Sequence, residues 1–450
     1  MNLRKHLRSK AAVAILAAIV IFALLAACGG SATETPTRTP TPTSSPQTSQ
    51  AGFQLAKSEA PRNMAPDIPQ ADMAELVAGN NAFALDLYQE LQSEEGNLFF
   101  SPYSISVALA MTWAGARGET EQQMADTLHF TLPQAQLHPA FNSLDLQLTE
   151  NEDEGKSEEN TDFTLRIANS LWGQQGYPFL EEFLDLLASN YGAGMRLVDF
   201  RTAPEAARIA INEWVSEKTE EKIKDLIPQG AINPMTRLVL ANAIYFYADW
   251  QRQFDPNNTH DAQFHLLDEE QVTVPMMSQT SRFLYTRGEG YQAVEMPYVG
   301  GRAAMTIFVP DSGKFADFES GITADRIDEI ITGLDYEQVE LTLPKFTYES
   351  EFSLAETLIE MGMTDAFNAA DFSGMDGTKD LFISDVFHKA FVAVDEEGTE
   401  AAAATAVVME LSAAPMQEVT LTIDRPFIYL ISDTDSGSIL FLGRVLNPAA

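Results

Sequence analysis

The chain has 450 residues, and its 65 acidic against 28 basic side chains give a formal net charge of −37 at pH 7. A charge this negative repels phosphate groups, so we expect no nucleic acid among its partners. Only one cysteine is present, which excludes an intramolecular disulfide and leaves stability to the hydrophobic core.

The N-terminus is typical of an export signal. Several basic residues precede an unbroken apolar run over residues 11–27, and the run ends in Leu25-Ala26-Ala27-Cys28. That ending resembles the lipobox of bacterial lipoproteins, although a cysteine that merely follows a signal peptide is the alternative. We expect residues 1–27 to be removed and Cys28 to carry a lipid. The protein would then be exported and anchored outside the cell, at its surface or membrane.

A polar linker follows the predicted lipid site. Residues 29–50 are mostly Ser, Thr and Pro, a composition that cannot bury enough apolar surface to fold. Patterning stays poor to about Pro69, so we expect residues 28–69 to form a disordered tether. Helical periodicity starts near Met73, and no second linker or internal repeat follows it. We therefore predict one folded domain over residues 70–450.

The elements predicted further along the chain indicate a mixed fold. Apolar residues recur at helical spacing over 204–226 and 354–361, and the acidic stretch 150–159 indicates a surface loop. Strands are predicted where β-branched and apolar residues concentrate, at 163–168, 237–246, 303–309, 339–343, 387–394, 419–423 and 427–431. Helices come first and strands later, without regular alternation, which favours an α+β domain with antiparallel sheets.

Many short segments, in order, are similar to those of one protein family. They include Asn97-Leu98-Phe99-Phe100-Ser101-Pro102, Leu240-Ala241-Asn242-Ala243-Ile244-Tyr245-Phe246, Leu343-Pro344-Lys345-Phe346, Asp371-Phe372-Ser373-Gly374-Met375, Val386-Phe387-His388-Lys389-Ala390 and Asp424-Arg425-Pro426-Phe427. Through their number and order the chain resembles the serpin family, from about residue 73 to residue 448.

The resemblance implies one large α+β domain, with helices, three mostly antiparallel β-sheets and an exposed reactive-centre loop at about residues 396–424. We also expect a monomer that needs no cofactor and no metal ion. The chain is expected not to be an enzyme, because its sequence contains no Gly-x-Ser-x-Gly, His-Glu-x-x-His or phosphate-binding glycine motif.

The start of the loop is predicted to be its hinge. The hinge residues are Glu396, Gly398, Thr399, Glu400, Ala401, Ala402, Ala403, Ala404, Thr405 and Ala406. By intrinsic propensity alone, alanines beside glutamates predict a helix. With a period of two, however, residues 399, 401, 403 and 405 share one face on which every side chain is small. Such a segment can enter a sheet as a strand without overpacking the core.

The resemblance implies that the loop is bait for a serine protease, which becomes the covalent partner. The protease nucleophile attacks the loop, and the cleaved loop inserts into the main sheet before the acyl-enzyme hydrolyses. The family spacing counted from Glu396 puts the reactive bond between Ser412 and Ala413, and a slip of one residue puts it between Leu411 and Ser412. The first bond suits elastase-like proteases, and the second suits chymotrypsin-like or subtilisin-like proteases.

Further residues match family positions where the main sheet opens. They are Ser101, Ser104, Asn242, Trp250, Lys345 and His388. The resemblance implies a polar cluster beneath the opening point, a tryptophan at the top of the sheet, and an ion pair between Lys345 and Glu396. The other histidines show no metal-ligand spacing.

Two alternative functions stay open at the level of sequence. A serpin that does not inhibit, and serves as a surface binding or structural lipoprotein, would be cleaved in the loop without trapping the protease. A lipoprotein of unrelated adhesive function would not be cleaved in the loop at a single site.

Overall fold

Helices pack on two hydrogen-bonded sheets in the computed structural model, which describes residues 52–149, 163–399 and 418–450. The helices are α1 (Gln70–Leu91), α2 (Pro102–Trp113), α3 (Gly118–Thr127), α4 (Gln134–Thr149), α5 (Glu181–Tyr191), α6 (Pro204–Lys218), α7 (Phe315–Glu319), α8 (Ala324–Thr332), α9 (Ala355–Glu360), α10 (Thr364–Phe367) and α11 (Ser373–Asp376). The strands are β1 (Gln54–Ala56), β2 (Leu98–Phe100), β3 (Phe163–Gln174), β4 (Met195–Val198), β5 (Leu238–Asp249), β6 (His260–His265), β7 (Gln271–Gly288), β8 (Tyr291–Pro297), β9 (Ala303–Pro310), β10 (Asp335–Pro344), β11 (Phe346–Ser353), β12 (Ile383–Val394), β13 (Gly398–Thr399), β14 (Glu418–Thr422), β15 (Phe427–Asp433) and β16 (Ile439–Val445).

The first sheet, called the main sheet below, has the strand order β1-β4-β3-β5-β13-β12-β11. At its centre β5 and β12 pair in parallel, from Leu238 opposite Ile383 to Tyr245 opposite Phe391. β3 and β11 pair antiparallel on the two outer sides of this central pair. Nearly all of β5 is buried, as expected of a central strand covered on both faces.

The second sheet has the order β14-β10-β7-β8-β9-β15-β16-β2, with β6 also paired to β7. Three sheets are implied by the family resemblance, whereas the residues that the structure describes form two. The difference lies in β7, whose 18 residues pair with β6 and β10 along most of their length and with β8 at the end. Strand β7 thus joins the strands β6 and β10 to the strands that continue from β8. The hydrogen bonding is therefore continuous, and what could be two sheets is one.

The α+β class is confirmed, and each strand predicted from the sequence coincides with an observed one. Some strands and helices end at residues other than those predicted. Strand β3 continues to Gln174, beyond the expected end at residue 168. The helix expected over 204–226 stops at Lys218. Glu220 and Glu221 have φ of 52° and 63°. A right-handed helix cannot continue through residues with positive φ, so α6 ends before them. The expected surface loop 150–159 lies outside the described residues.

The helix α2 crosses the core between the sheets. All of its residues are buried, and it contacts both β5 and β16. Its first turn is fixed by Pro102 and by Ser101, whose Oγ accepts the N–H of Ser104 at 3.2 Å. The Ser104 hydroxyl in turn meets Asn242 in the middle of β5. The capped end of α2 is therefore held against the centre of the main sheet.

No helix within the three described stretches has both the length and the apolar character needed to cross a membrane.

The segment 52–69, which the sequence assigns to the tether, packs on the domain instead. β1 forms an edge of the main sheet, with Gln54 opposite Leu197 of β4. Phe53 meets Trp172 edge to face, with 5.0 Å between ring centroids, and the guanidinium of Arg62 pairs with a carboxylate of α4 at 2.6 Å. The sequence does not reveal this segment because three strand residues carry no readable periodicity. The predicted domain boundary at residue 70 is therefore too late.

Removing residues 52–63 is expected to lower the thermal midpoint by roughly 5 °C or more, relative to a chain that starts at residue 51. The loss of Phe53 uncovers Trp172, and the loss of Arg62 leaves Asn142 and Asp145 without the hydrogen bonds it donates to them. Differential scanning calorimetry of the two chains measures the change. Equal midpoints would contradict a stabilising role for the segment.

Candidate functional site

The first residues of the predicted hinge lie inside the main sheet. β13 lies between β5 and β12, with Thr399 opposite Ala248 on one side and Val394 on the other. Both pairings are antiparallel, and Gly398 and Thr399 are both buried. Further along, β5 and β12 pair directly with each other. The loop therefore begins as the tip of an extra strand that parts one end of the sheet.

Gly398 is required here by the close approach of the loop to β5. A Cβ at this position would lie 2.1 Å from the carbonyl oxygen of Ala248 and 2.7 Å from the Cα of Asp249. Both are backbone atoms, so a rotamer change cannot relieve the clash. Only glycine fits without moving the loop away from β5.

Trp250 holds the loop at the end of β5. Its Nε1–H donates to the carbonyl of Asp395 at 3.0 Å, and its backbone N–H donates to the carbonyl of Glu397 at 2.8 Å. The indole stacks on Tyr298 with 4.6 Å between ring centroids, and the Tyr298 hydroxyl lies 2.8 Å from Oγ1 of Thr399. These contacts tie the loop to the aromatic pair. Trp250 could be singled out from the sequence. Tyr298 could not, because it lies outside the segments that resemble the family.

Lys345 and Glu396 form an ion pair at the base of the loop, with 2.5 Å between Nζ and Oε2. Thr259, which the sequence did not single out, donates its hydroxyl to Oε1 of Glu396 at 2.7 Å. Partial burial alone would raise the pKa of Glu396, but the hydrogen bonds from Lys345 and Thr259 outweigh it and hold the pKa below its usual value. Glu396 therefore keeps its charge and fixes the chain where β12 ends.

A row of polar side chains crosses the three central strands of the main sheet at one level. His388 of β12 lies opposite Asn242 of β5, which lies opposite Asn169 of β3. The side chain of Asn242 donates to the hydroxyl of Ser104 at 2.7 Å, and Nε2 of His388 accepts the N–H of Ser101 at 3.1 Å. The sheet cannot part between β5 and β12 at this level unless the buried hydrogen bond between His388 and Asn242 breaks.

Asn169 is the member of this polar row that sequence reasoning missed. It accepts the Ser104 hydroxyl at 3.0 Å and donates to the Ser104 carbonyl at 3.1 Å. Its amide also contacts Asn242 directly. Its place could be inferred only from the register of β3 on β5, which the sequence does not give.

Burial keeps His388 neutral by lowering its pKa to about 3. Because Nε2 accepts the N–H of Ser101, the proton lies on Nδ1, which donates to Oδ1 of Asn242. Burial lowers the pKa of His138 to about 3 as well. Either imidazole could be protonated only if it lost its hydrogen-bonded contacts or became exposed to water.

These histidines should destabilise the fold as the pH falls below about 6.5, the unfolded pKa of His. Below that pH the unfolded chain takes up protons that the folded chain does not. The free energy of unfolding therefore has its full value above the unfolded pKa of His and declines as the pH falls towards 3. For His388 the slope is about 1.4 kcal/mol per pH unit. His388→Gln is expected to lose this slope between pH 6 and pH 4.5 in urea titrations. His260 is exposed, so the control variant His260→Gln should retain the slope. Equal slopes in the wild type and in both variants would contradict the assignment of this slope to His388.

Several predicted residues lie outside the described residues. They are Cys28, the hinge residues Glu400, Ala401, Ala402, Ala403, Ala404, Thr405 and Ala406, and the residues of the two candidate bonds, Leu411, Ser412 and Ala413. Those that the structure describes meet at two levels of the main sheet: Glu396, Gly398, Thr399, Trp250 and Lys345 at its open end, and Ser101, Ser104, Asn242 and His388 at its middle.

Within residues 52–149, 163–399 and 418–450, no three His, Cys, Asp or Glu side chains are close enough to hold a metal ion.

Comparisons with known proteins agree with this geometry. The family model described as serpin (serine protease inhibitor) matches residues 78–448. An uncharacterized serpin-like protein of Thermococcus kodakarensis is 43% identical over 376 residues, which cover 83% of this chain and 86% of the relative. The leukocyte elastase inhibitor of Homo sapiens is 40% identical over 389 residues, which cover 84% of this chain and all of the relative. The crystal structure of the thermophilic serpin tengpin in its native state matches with a TM-score of 0.76 at 28% identity, covering 87% of this chain and 99% of that one.

A loop that begins as a strand inside the main sheet, and a family match over nearly the whole domain, show that the chain belongs to the serpin family of serine protease inhibitors.

Proposed function

We propose that this serpin is a suicide-substrate inhibitor of serine endopeptidases and acts as a monomer. The serine Oγ of the protease attacks the carbonyl carbon of the reactive bond, the amine of the following residue leaves, and an ester joins protease and loop. The cleaved loop inserts between β5 and β12 before water hydrolyses the ester. The protease is drawn along with the loop, and its active site is distorted.

The position of β13 carries this proposal. Thr399 already makes antiparallel pairings with both β5 and β12, and Gly398 makes one with β5, so a continuing strand starts in register. Each inserted residue replaces one parallel pairing of β5 and β12 by antiparallel pairings on two sides, and antiparallel pairing is the more stable kind. Thr399 is fully buried, and in a strand every second residue after it faces the same side. The alanines and threonine at those positions are small enough to follow it.

We propose that the reactive bond joins Ser412 and Ala413, with the bond between Leu411 and Ser412 as the alternative. A serine before the bond suits a protease with a small specificity pocket, as elastase-like enzymes have. The similarity to leukocyte elastase inhibitors supports the same class of target. Leu411 before the bond would instead suit chymotrypsin-like or subtilisin-like enzymes.

The test is to mix the chain starting at residue 51 with pancreatic elastase, chymotrypsin and subtilisin, and to run denaturing gels and mass spectrometry. A covalent complex that survives denaturant is expected with at least one protease, together with a released peptide that starts at Ala413 or Ser412. A protease whose active-site serine is blocked is the matched control and should give no complex. Loop cleavage by all three enzymes without a complex would contradict inhibition and favour a non-inhibitory serpin.

We also propose that the protein is exported and held at the cell surface or membrane by a lipid on Cys28. The apolar run 11–27 and the Leu25-Ala26-Ala27-Cys28 sequence support this. Phase partitioning in Triton X-114 tests it in a bacterial host with lipoprotein processing: the intact protein should enter the detergent phase and Cys28→Ser should not. Equal partitioning of both proteins into the aqueous phase would contradict the anchor.

A further inference from the structure

A cavity of about 370 Å³ lies beside the loop hinge but outside the sheet that receives the loop. The residues after β5, the middle of β7, the end of β8 and the start of β10 surround it. Its size falls within the roughly 300 to 1,000 Å³ of ordinary small-molecule sites. We propose that this cavity binds a small organic anion with a flat apolar body, such as an aromatic carboxylate.

Two guanidinium groups supply the charge for such a ligand. Arg252 and Arg282 both line the cavity, and neither has an ion-pair partner among the described carboxylates. Arg252 donates a hydrogen bond to the hydroxyl of Ser281, and Arg282 lies over the ring of Tyr336 at 5.2 Å from its centroid. In a chain with 65 acidic residues, two arginines on one cavity without a described carboxylate partner leave donors for an anion.

Glu295 is the only acidic residue of the lining, so the cavity has an excess of one positive charge. Burial raises the pKa of Glu295, although a hydrogen bond from the hydroxyl of Thr306 at 3.3 Å opposes the shift. Its carboxyl is thus easier to neutralise than an ordinary one. The two arginines therefore dominate the charge that a ligand meets.

Apolar and aromatic surface supplies the rest of the site. Phe283, Met296 and Pro297 belong to the lining, together with Trp250. Tyr336 is 55% exposed, so part of its ring is accessible to a ligand in addition to the part that Arg282 covers. A flat ring against these side chains, with its carboxylate at the arginines, satisfies both parts of the lining.

Titration of the protein with 2-naphthoate tests the proposal, with the uncharged 2-naphthamide as the matched probe. Isothermal titration calorimetry should give a Kd below about 1 mM for the carboxylate and a value at least about tenfold weaker for the amide. Because Trp250 lines the cavity, its fluorescence should change at the same concentrations.

Variants locate the site. Arg252→Gln and Arg282→Gln should each weaken 2-naphthoate binding about tenfold, whereas Arg287→Gln, an exposed arginine later in β7, should leave it unchanged. All three arginines are exposed, so the variants should fold, and circular dichroism checks this. Equal affinity for the carboxylate and the amide, no binding of either, or affinity unaffected by both cavity variants would overturn the proposal. None of these outcomes depends on whether the protein inhibits a protease.

Discussion

Replacing Thr399 by Arg is expected to turn the inhibitor into a substrate. Thr399 is fully buried between Ala248 and Val394, and its hydroxyl contacts Tyr298. An arginine there would put an unpaired charge in the sheet at a cost of roughly 3 to 5 kcal/mol, so residue 399 is expected to leave its place and would have to re-enter the sheet as the loop inserts. Insertion would slow by about 100-fold or more, so hydrolysis of the acyl-enzyme would win. Gel analysis should show the loop cleaved and the covalent complex lost.

Thr399→Val is the matched control for this experiment. It keeps the shape and loses one hydrogen bond, the contact with the Tyr298 hydroxyl, but introduces no charge, so most of the trapping should remain. If Thr399→Arg traps as much protease per mole as the wild type does, the place of this residue inside the sheet is not needed for trapping.

Replacing Asn242 by Leu should destabilise the native fold strongly. Nδ1–H of His388 loses its acceptor, and the hydroxyl of Ser104 loses a donor, both in a fully buried place. Each buried group left unsatisfied costs about 1 to 3 kcal/mol, so a loss of about 3 kcal/mol or more is expected. In a domain of this size the thermal midpoint should fall by about 4 °C or more, as calorimetry would show.

Asn368→Leu is a suitable control, because Asn368 is exposed and its side chain makes one local hydrogen bond, to the carbonyl of Thr364. Its midpoint should change little. Equal midpoints for Asn242→Leu and the wild type would show that the polar row does not hold the sheet together.

Much of the fold could be predicted from the sequence, because its strands are apolar or β-branched and its segments follow the order of a known family. The strands β3, β5, β10 and β12 coincide with predicted runs for this reason. The exposed part of the second sheet was harder to predict: β7 alternates in exposure along 18 residues and contains a proline and two glutamines. Its pairing with several neighbours is decided by tertiary contacts, which local propensity does not encode.

The candidate site divides in the same way. Residues within family segments, such as Trp250, Lys345 and His388, could be named in advance. Tyr298, Thr259 and Asn169 could not, because each acts through a partner that only the folded chain brings near. Contacts of this kind depend on strand register and on the course of loops, and neither is visible in the spacing of residues.

The most direct test of the account is whether the cleaved loop enters the main sheet. The chain starting at residue 51 should be nicked in the loop by a protease that it does not trap, and its thermal midpoint compared with that of the intact chain. Insertion adds a central strand to the main sheet and buries new surface, so a rise of more than about 10 °C is predicted. Nicked Thr399→Arg should show a smaller rise. A midpoint that stays the same or falls after cleavage would contradict loop insertion, and with it the proposed mechanism of inhibition.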